Sequence, residues 1–272
     1  MSDLKNFQKI KIGDAKSFSK KLGLNNYISN PYWLAFNGFY ENKDGEILIY
    51  DRDVLYKNDF PYIGLPKNKK LWERAIIINA KEEDILNIKK EGVSVRESFC
   101  FGTEYFYKTS QFAELEDPKF RKIVNRFKRK YKFIIKQNYS NKKIMDFLVR
   151  WEGQQKTKNV IFENGKEFEN FCIKNYKEIG GERLFIEIDG ELVGYCLFIK
   201  NSNDYWVGIH KKVDYRFEGL SRFLLHQECL MFKNIPYFTL GSEAQDMGIK
   251  NHKLSLRPFA EDKLYYVITD GK

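Results

Sequence analysis

Tyr205-Trp-Val-Gly-Ile-His-Lys-Lys-Val-Asp-Tyr-Arg-Phe-Glu-Gly219-Leu-Ser-Arg-Phe-Leu-Leu-His226 reads as a strand, a short turn and an amphipathic helix. The turn carries Arg216-x-x-Gly219-x-Ser221. Small residues at a helix start leave its first backbone N–H groups accessible, and such groups suit a phosphate. The stretch therefore points to an α/β fold and to a donor that carries a pyrophosphate.

Just upstream, Leu184-Phe-Ile-Glu-Ile-Asp189-Gly190-Glu-Leu-Val-Gly-Tyr-Cys-Leu-Phe198 reads as a hairpin about an Asp-Gly turn. Its nearly continuous apolar runs suit the centre of a sheet. Helices are expected at about 143–156 and 166–179, the second ended by Gly180-Gly181. A strand from Tyr237 to Leu240, an irregular polar loop and a last strand from Lys263 to Ile268 follow.

An earlier Asp-Gly hairpin lies at Phe39–Tyr50, around Asp44-Gly45. Helices are expected at 14–22, 29–36, 69–77 and 82–90, and strands at 62–66, 93–96 and 104–107. The two hairpins suggest two copies of one α/β unit.

Between the copies lies a cationic segment. Lys119 to Lys143 holds eleven Lys or Arg and no Asp or Glu, so a chain of net charge +10 is left at −1 outside it. Phe120, Ile123, Val124, Phe127, Tyr131 and Ile134 recur at helical spacing, and Asp117-Pro118 suits a helix start. One amphipathic helix is expected there, cationic on its outer side. Lys122, Arg126, Lys128, Arg129 and Lys132 are its candidate contacts to phosphate or nucleic acid.

The 272 residues allow one large domain or two small ones. No apolar run approaches the length of a membrane span, and the first residues lack a signal-peptide core. Cys100, Cys172, Cys196 and Cys229 form no metal-ligand or CxxC spacing. They read as free thiols of a cytoplasmic protein, and no metal is expected.

Hairpin, strand, Arg-x-x-Gly-x-Gly/Ala turn and helix are the order of the GNAT acyltransferase superfamily, which this chain resembles. The resemblance implies acyl-CoA binding through Arg216, Gly219 and Ser221, and through the backbone of Ile209, His210 and Lys211. Ser221 departs from the usual Gly or Ala but is still small.

A second resemblance covers about 230 residues. It is carried by Asn30-Pro-Tyr-Trp33-Leu-Ala-Phe with the first hairpin and Pro61-Tyr-Ile-Gly64, by Glu104-Tyr-Phe-Tyr107 leading into Arg121-x-x-x-Asn125, and by Leu240-Gly241-Ser … Gly248-Ile-Lys-Asn-His252-Lys253-Leu-Ser-Leu-Arg257-Pro258. These are similar to the tandem-GNAT family that includes the soluble C-terminal domain of phosphatidylglycerol lysyltransferases, with the Fem peptidyl transferases more distant. The resemblance implies two tandem GNAT-like folds, each a mixed, mostly antiparallel sheet flanked by helices. It also implies an aminoacyl-tRNA donor that meets the basic helix. The expected organisation is an N-terminal copy at 1–115, a basic connecting helix at 116–140 and a C-terminal catalytic copy at 141–272.

Transfer to an amine needs a base, donors for the oxyanion and an acid for the leaving group. Glu243 and Asp246 are candidates to hold or deprotonate the amine. Lys253 and Arg257 are candidates for the oxyanion or an anionic group, and Tyr265 or Tyr266 for the acid. Three readings follow: acyl-CoA-dependent N-acyltransferase, aminoacyl-tRNA-dependent aminoacyltransferase, or a non-catalytic RNA-binding protein on the same scaffold.

Overall fold

The computed structural model describes residues 7–9, 11–22, 30–37, 39–42, 47–49, 60–73, 75–156, 165–243 and 246–270. The chain forms two compact units, one of Met1–Phe106 with Gly241–Lys272, the other of Tyr107–Leu240. The division differs from the expected one. The last segment belongs with the first residues of the chain, and the basic helix lies inside the second unit.

The first unit contains β1 (Phe7–Lys9), α1 (Ala15–Leu22), α2 (Pro31–Asn37), β2 (Phe39–Asn42), β3 (Ile47–Ile49), β4 (Phe60–Ile63), β5 (Ala75–Ala80), α3 (Glu82–Lys90) and most of β6 (Ser94–Lys108). Its β1, β2 and β3 pair antiparallel in order, and β4 pairs parallel with β5. The Asp44-Gly45 turn lies outside the described residues, but the strands either side of it pair as a hairpin requires.

The helix expected at 69–77 is a single 3-10 turn, Lys69–Trp72, followed by β5. The run Ala75-Ile-Ile-Ile-Asn-Ala80 is buried throughout, and three consecutive isoleucines favour the strand of a covered sheet.

The second unit contains α4 (Thr109–Ala113), α5 (Pro118–Lys130), β7 (Phe133–Lys136), α6 (Asn141–Lys156), α7 (Gly165–Ile179), β8 (Glu182–Ile188), β9 (Glu191–Lys200), β10 (Tyr205–Val213), α8 (Leu220–Met231) and β11 (Tyr237–Ser242), whose last two residues fall in the first unit. Strands β7 to β10 pair antiparallel in sequence order, and β10 then pairs parallel with β11. The β8–β9 turn has φ of 51° at Asp189 and 79° at Gly190, the signature of a type I′ hairpin. The core is aromatic: Trp206 stacks on Phe238 at 4.4 Å, and Phe127 stacks on Phe223 at 4.6 Å.

Helix α5 begins as expected. Asp117 accepts from the N–H groups of Lys119 and Phe120, and Pro118 occupies the first turn. It ends earlier than the apolar spacing suggested, at Lys130. Tyr131 is extended, and Phe133–Lys136 pairs with β8. Ile134 and Lys132 therefore lie beyond the helix.

After β11 the chain re-enters the first unit through α9 (Met247–Leu254) and β12 (Ala260–Asp270). The expected polar loop thus contains a helix, capped by Asp246. Strand β12 pairs antiparallel with β5 and with β6, which explains why the C-terminal residues belong to this unit. No helix among the described residues is long and apolar enough to cross a membrane.

Candidate functional site

In the second unit, the ladder between β10 and β11 runs only from Tyr205↔Tyr237 to Val207↔Thr239. Strand β10 continues to Val213, still paired with β9, through an irregularity between Gly208 and His210. Among the described residues, the ladder between the two parallel strands ends at Val207. In the first unit, by contrast, β4 stays paired with β5 along its whole length. In the second unit the ladder between the two parallel strands thus stops, among the described residues, just before the bulge in β10. Ile209 lies in that irregular stretch.

The residues after β10 form the expected turn. Asp214 accepts from the Arg216 N–H and from its guanidinium at 2.5–3.1 Å, and Glu191 takes the guanidinium at 3.2 Å. Gly219 is the N-cap of α8, with φ of 85°. A Cβ there would lie 3.2 Å from the Ile123 side chain and 3.3 Å from the Ile123 carbonyl oxygen, both on α5. Arg126 of α5 forms a 2.8 Å ion pair with Glu218. The glycine of the turn admits the backbone of α5, and the guanidiniums of Arg216 and Arg126 already face carboxylates.

The outward side of α5 is different. Pro118, Arg121, Lys122, Asn125, Lys128 and Arg129 line a groove of about 420 Å³. Among the described residues, Arg121, Lys122, Lys128 and Arg129 have no acidic partner. Arg121 reaches only the Leu115 carbonyl, and Lys128 sits 3.3 Å from His226 Nε2. His226 is itself buried, with Nδ1 at 2.8 Å from the Phe112 carbonyl oxygen. It holds α8 to α4 and is spoken for as a structural group.

The four residues expected to do acid–base work lie in the first unit. Both carboxylate oxygens of Glu243 accept the Thr103 N–H at 2.9 Å. Asp246 accepts the Ile249 N–H and caps α9. The Lys253 ammonium, buried, donates to the carbonyls of Gly241 and Ser242. Tyr265 packs on the cluster of Trp72, Ile77, Ile85 and Val267. Each therefore has a structural duty in this unit. Burial pushes the Lys253 amine from its ordinary 10.5 down to about 8, against the pull of Glu104 and Glu243. Arg257 follows α9 in the left-handed region, with φ of 57°.

Of the strand residues, Lys211 forms a 3.1 Å ion pair with buried Glu228 of α8. His210 points its ring edge-on to Phe168 of α7, 5.3 Å between centroids. Sequence reasoning passed over Glu169 of α7, which is buried near Lys212 of β10. A lone glutamate on an amphipathic helix gives no signal until its fold neighbours are known.

No family model matches the chain, and no curated protein matches it in sequence. Solved structures do match. A conserved protein of unknown function from Bacteroides thetaiotaomicron has a TM-score of 0.80 at 13% identity, over 97% of this chain and 99% of that one. The C-terminal DUF2156 domain of a putative lysylphosphatidylglycerol synthetase from Agrobacterium fabrum gives 0.64 at 12% identity, over 96% and 93%. FemX gives 0.65 at 10% identity, over 96% of each chain. At such identities the likeness is one of fold. It is the tandem GNAT-like α/β fold, as expected from the resemblance to the lysyltransferase domain and the Fem proteins.

Two outcomes follow from these contacts. Gly219→Ala places a side chain against α5 at a left-handed backbone position, so urea unfolding should show a loss of about 1–3 kcal/mol. For Lys253, the folded amine deprotonates before the unfolded one. Its charged form is thus a cost below about 8, and that cost is relieved as pH rises from there toward 10.5. Stability measured across that window should rise for the wild type relative to Lys253→Met.

Proposed function

We propose that this chain is an aminoacyltransferase that moves an aminoacyl group from aminoacyl-tRNA to a primary amine. The observation that carries this reading is the position of α5. It packs against the side-chain space of Gly219 and turns to its other side a groove lined by Arg121, Lys122, Lys128 and Arg129, which have no acidic partner among the described residues. A polyanion larger than a nucleotide is the ligand that suits a row of cations along one helix. The fold shared with a putative lysylphosphatidylglycerol synthetase domain and FemX supports transfer chemistry of this class, EC 2.3.

An acyl-CoA donor is the second reading, favoured by the small residues Gly219 and Ser221 at the start of α8. It is opposed by the ion pairs that already satisfy Arg216 and Arg126.

The two readings separate in one set of titrations. Binding of charged tRNA should weaken with salt, and the triple variant Lys122→Ala, Lys128→Ala, Arg129→Ala should lower the log–log slope by roughly 2, about 0.7 per lost phosphate contact. The same variant should slow label transfer from aminoacyl-tRNA to an added amine. Saturable binding of a CoA thioester, with tRNA binding indifferent to the three substitutions, would instead favour the CoA donor.

A further inference from the structure

The second unit holds another polar group that neither the turn nor the groove uses. Past its bulge, β10 sends alternate side chains to opposite faces. Lys211 meets Glu228 of α8, whereas His210 and Lys212 face α6 and α7. The Lys212 ammonium lies 4.1 Å from the centroid of Trp151 on α6. Glu169 of α7 is only 7% exposed and lies within electrostatic reach of Lys212 and of Glu152 on α6, which holds Lys166 at 2.6 Å. Phe168 closes on the His210 ring.

Two buried atoms in this group, Glu169 Oε1 and His210 Nε2, have no hydrogen-bond partner among the described residues. An unmet buried polar atom costs about 1–3 kcal/mol, so two of them, each within electrostatic reach of Lys212, signal a polar group supplied from outside. The surroundings select its chemistry. A carboxylate, a neutral imidazole and indole and phenyl rings favour an amine or ammonium, and Lys212 over Trp151 is already such a cation within the chain. Burial pushes His210 down to about 3, with Lys212 adding to the effect, so the ring is neutral and can accept.

We propose that this cluster, on the face of β10 covered by α6 and α7, is the seat of the acceptor amine, with Glu169 Oε1 and His210 Nε2 receiving its N–H groups. This rests on the transferase reading above. The amine nitrogen attacks the ester carbonyl, a C–N bond forms and the C–O bond to the tRNA ribose breaks. Glu169 takes the proton leaving nitrogen, and that proton ends on the ribose oxygen. Burial raises the affinity of Glu169 for a proton, Lys212 opposes this and Glu152 adds to it, which suits a base working nearer neutrality than a free carboxylate.

The chain has three histidines, His210, His226 and His252, so their ring resonances can be assigned by single His→Gln variants. The test titrates n-butylammonium chloride into the intact protein, with sodium chloride as the ionic control. The His210 resonances should shift saturably while those of His226 and His252 stay. Glu169→Gln should weaken this binding tenfold or more, and Glu169→Asp, which keeps the charge, should weaken it less. Should Glu169→Gln fail to fold, the wild-type and Glu169→Asp titrations still decide. A stationary His210, or one midpoint shared by wild type and the Glu169 variants, overturns the proposal. The readout needs no tRNA, so a failed tRNA titration beside a responsive His210 contradicts the donor assignment and not this site.

Discussion

The contact between α5 and the start of α8 governs the second unit. Gly219 has no side chain, and the Ile123 carbonyl of α5 takes the space that one would fill. Phe127 stacks on Phe223, and Phe133 joins them from β7 at 4.5 Å. Arg126 and Glu218 close the rim. A single close approach of two helices thus serves two ends: it buries an aromatic core and orients most cations of α5 outward. The packing is worth far more than the rim ion pair, which is half exposed and screened by solvent.

Charge in this unit is divided by depth. The exposed cations of α5 cost little to desolvate and are available to a polyanion. The inner charges are of another kind: Lys211 with Glu228, and Lys212 near Glu169 and Trp151, lie on opposite faces of one strand. Buried charges of this sort contribute little net stability.

Much of the architecture was legible because it is local. Asp189-Gly190 between apolar runs gave the central hairpin, and Asp117-Pro118 gave the start of α5. The failures have physical causes. Phe133-Ile-Ile continued the apolar spacing of α5, but pairing with β8 draws it into an edge strand. Helix α9 has few buried residues, with Met247, Ile249 and Leu254 exposed, so periodicity could not reveal it. The return of β12 to β5 and β6 depends on partners far away in sequence. This return also moved Glu243, Asp246, Lys253 and Tyr265 into the first unit, each with a structural contact. The cluster around Glu169 was invisible because a helix and a strand must be folded together before it exists.

On the proposed reading, anions meet the outer face of α5 and not the turn at Gly219. Hydrogen–deuterium exchange of the intact protein tests it most directly, with saturating tRNA in one arm and a CoA thioester in the other. Slowed exchange across 118–136 is expected with tRNA, and no change at 216–222 with the thioester. Protection of 216–222 by the thioester, with 118–136 unaltered by tRNA, would contradict it.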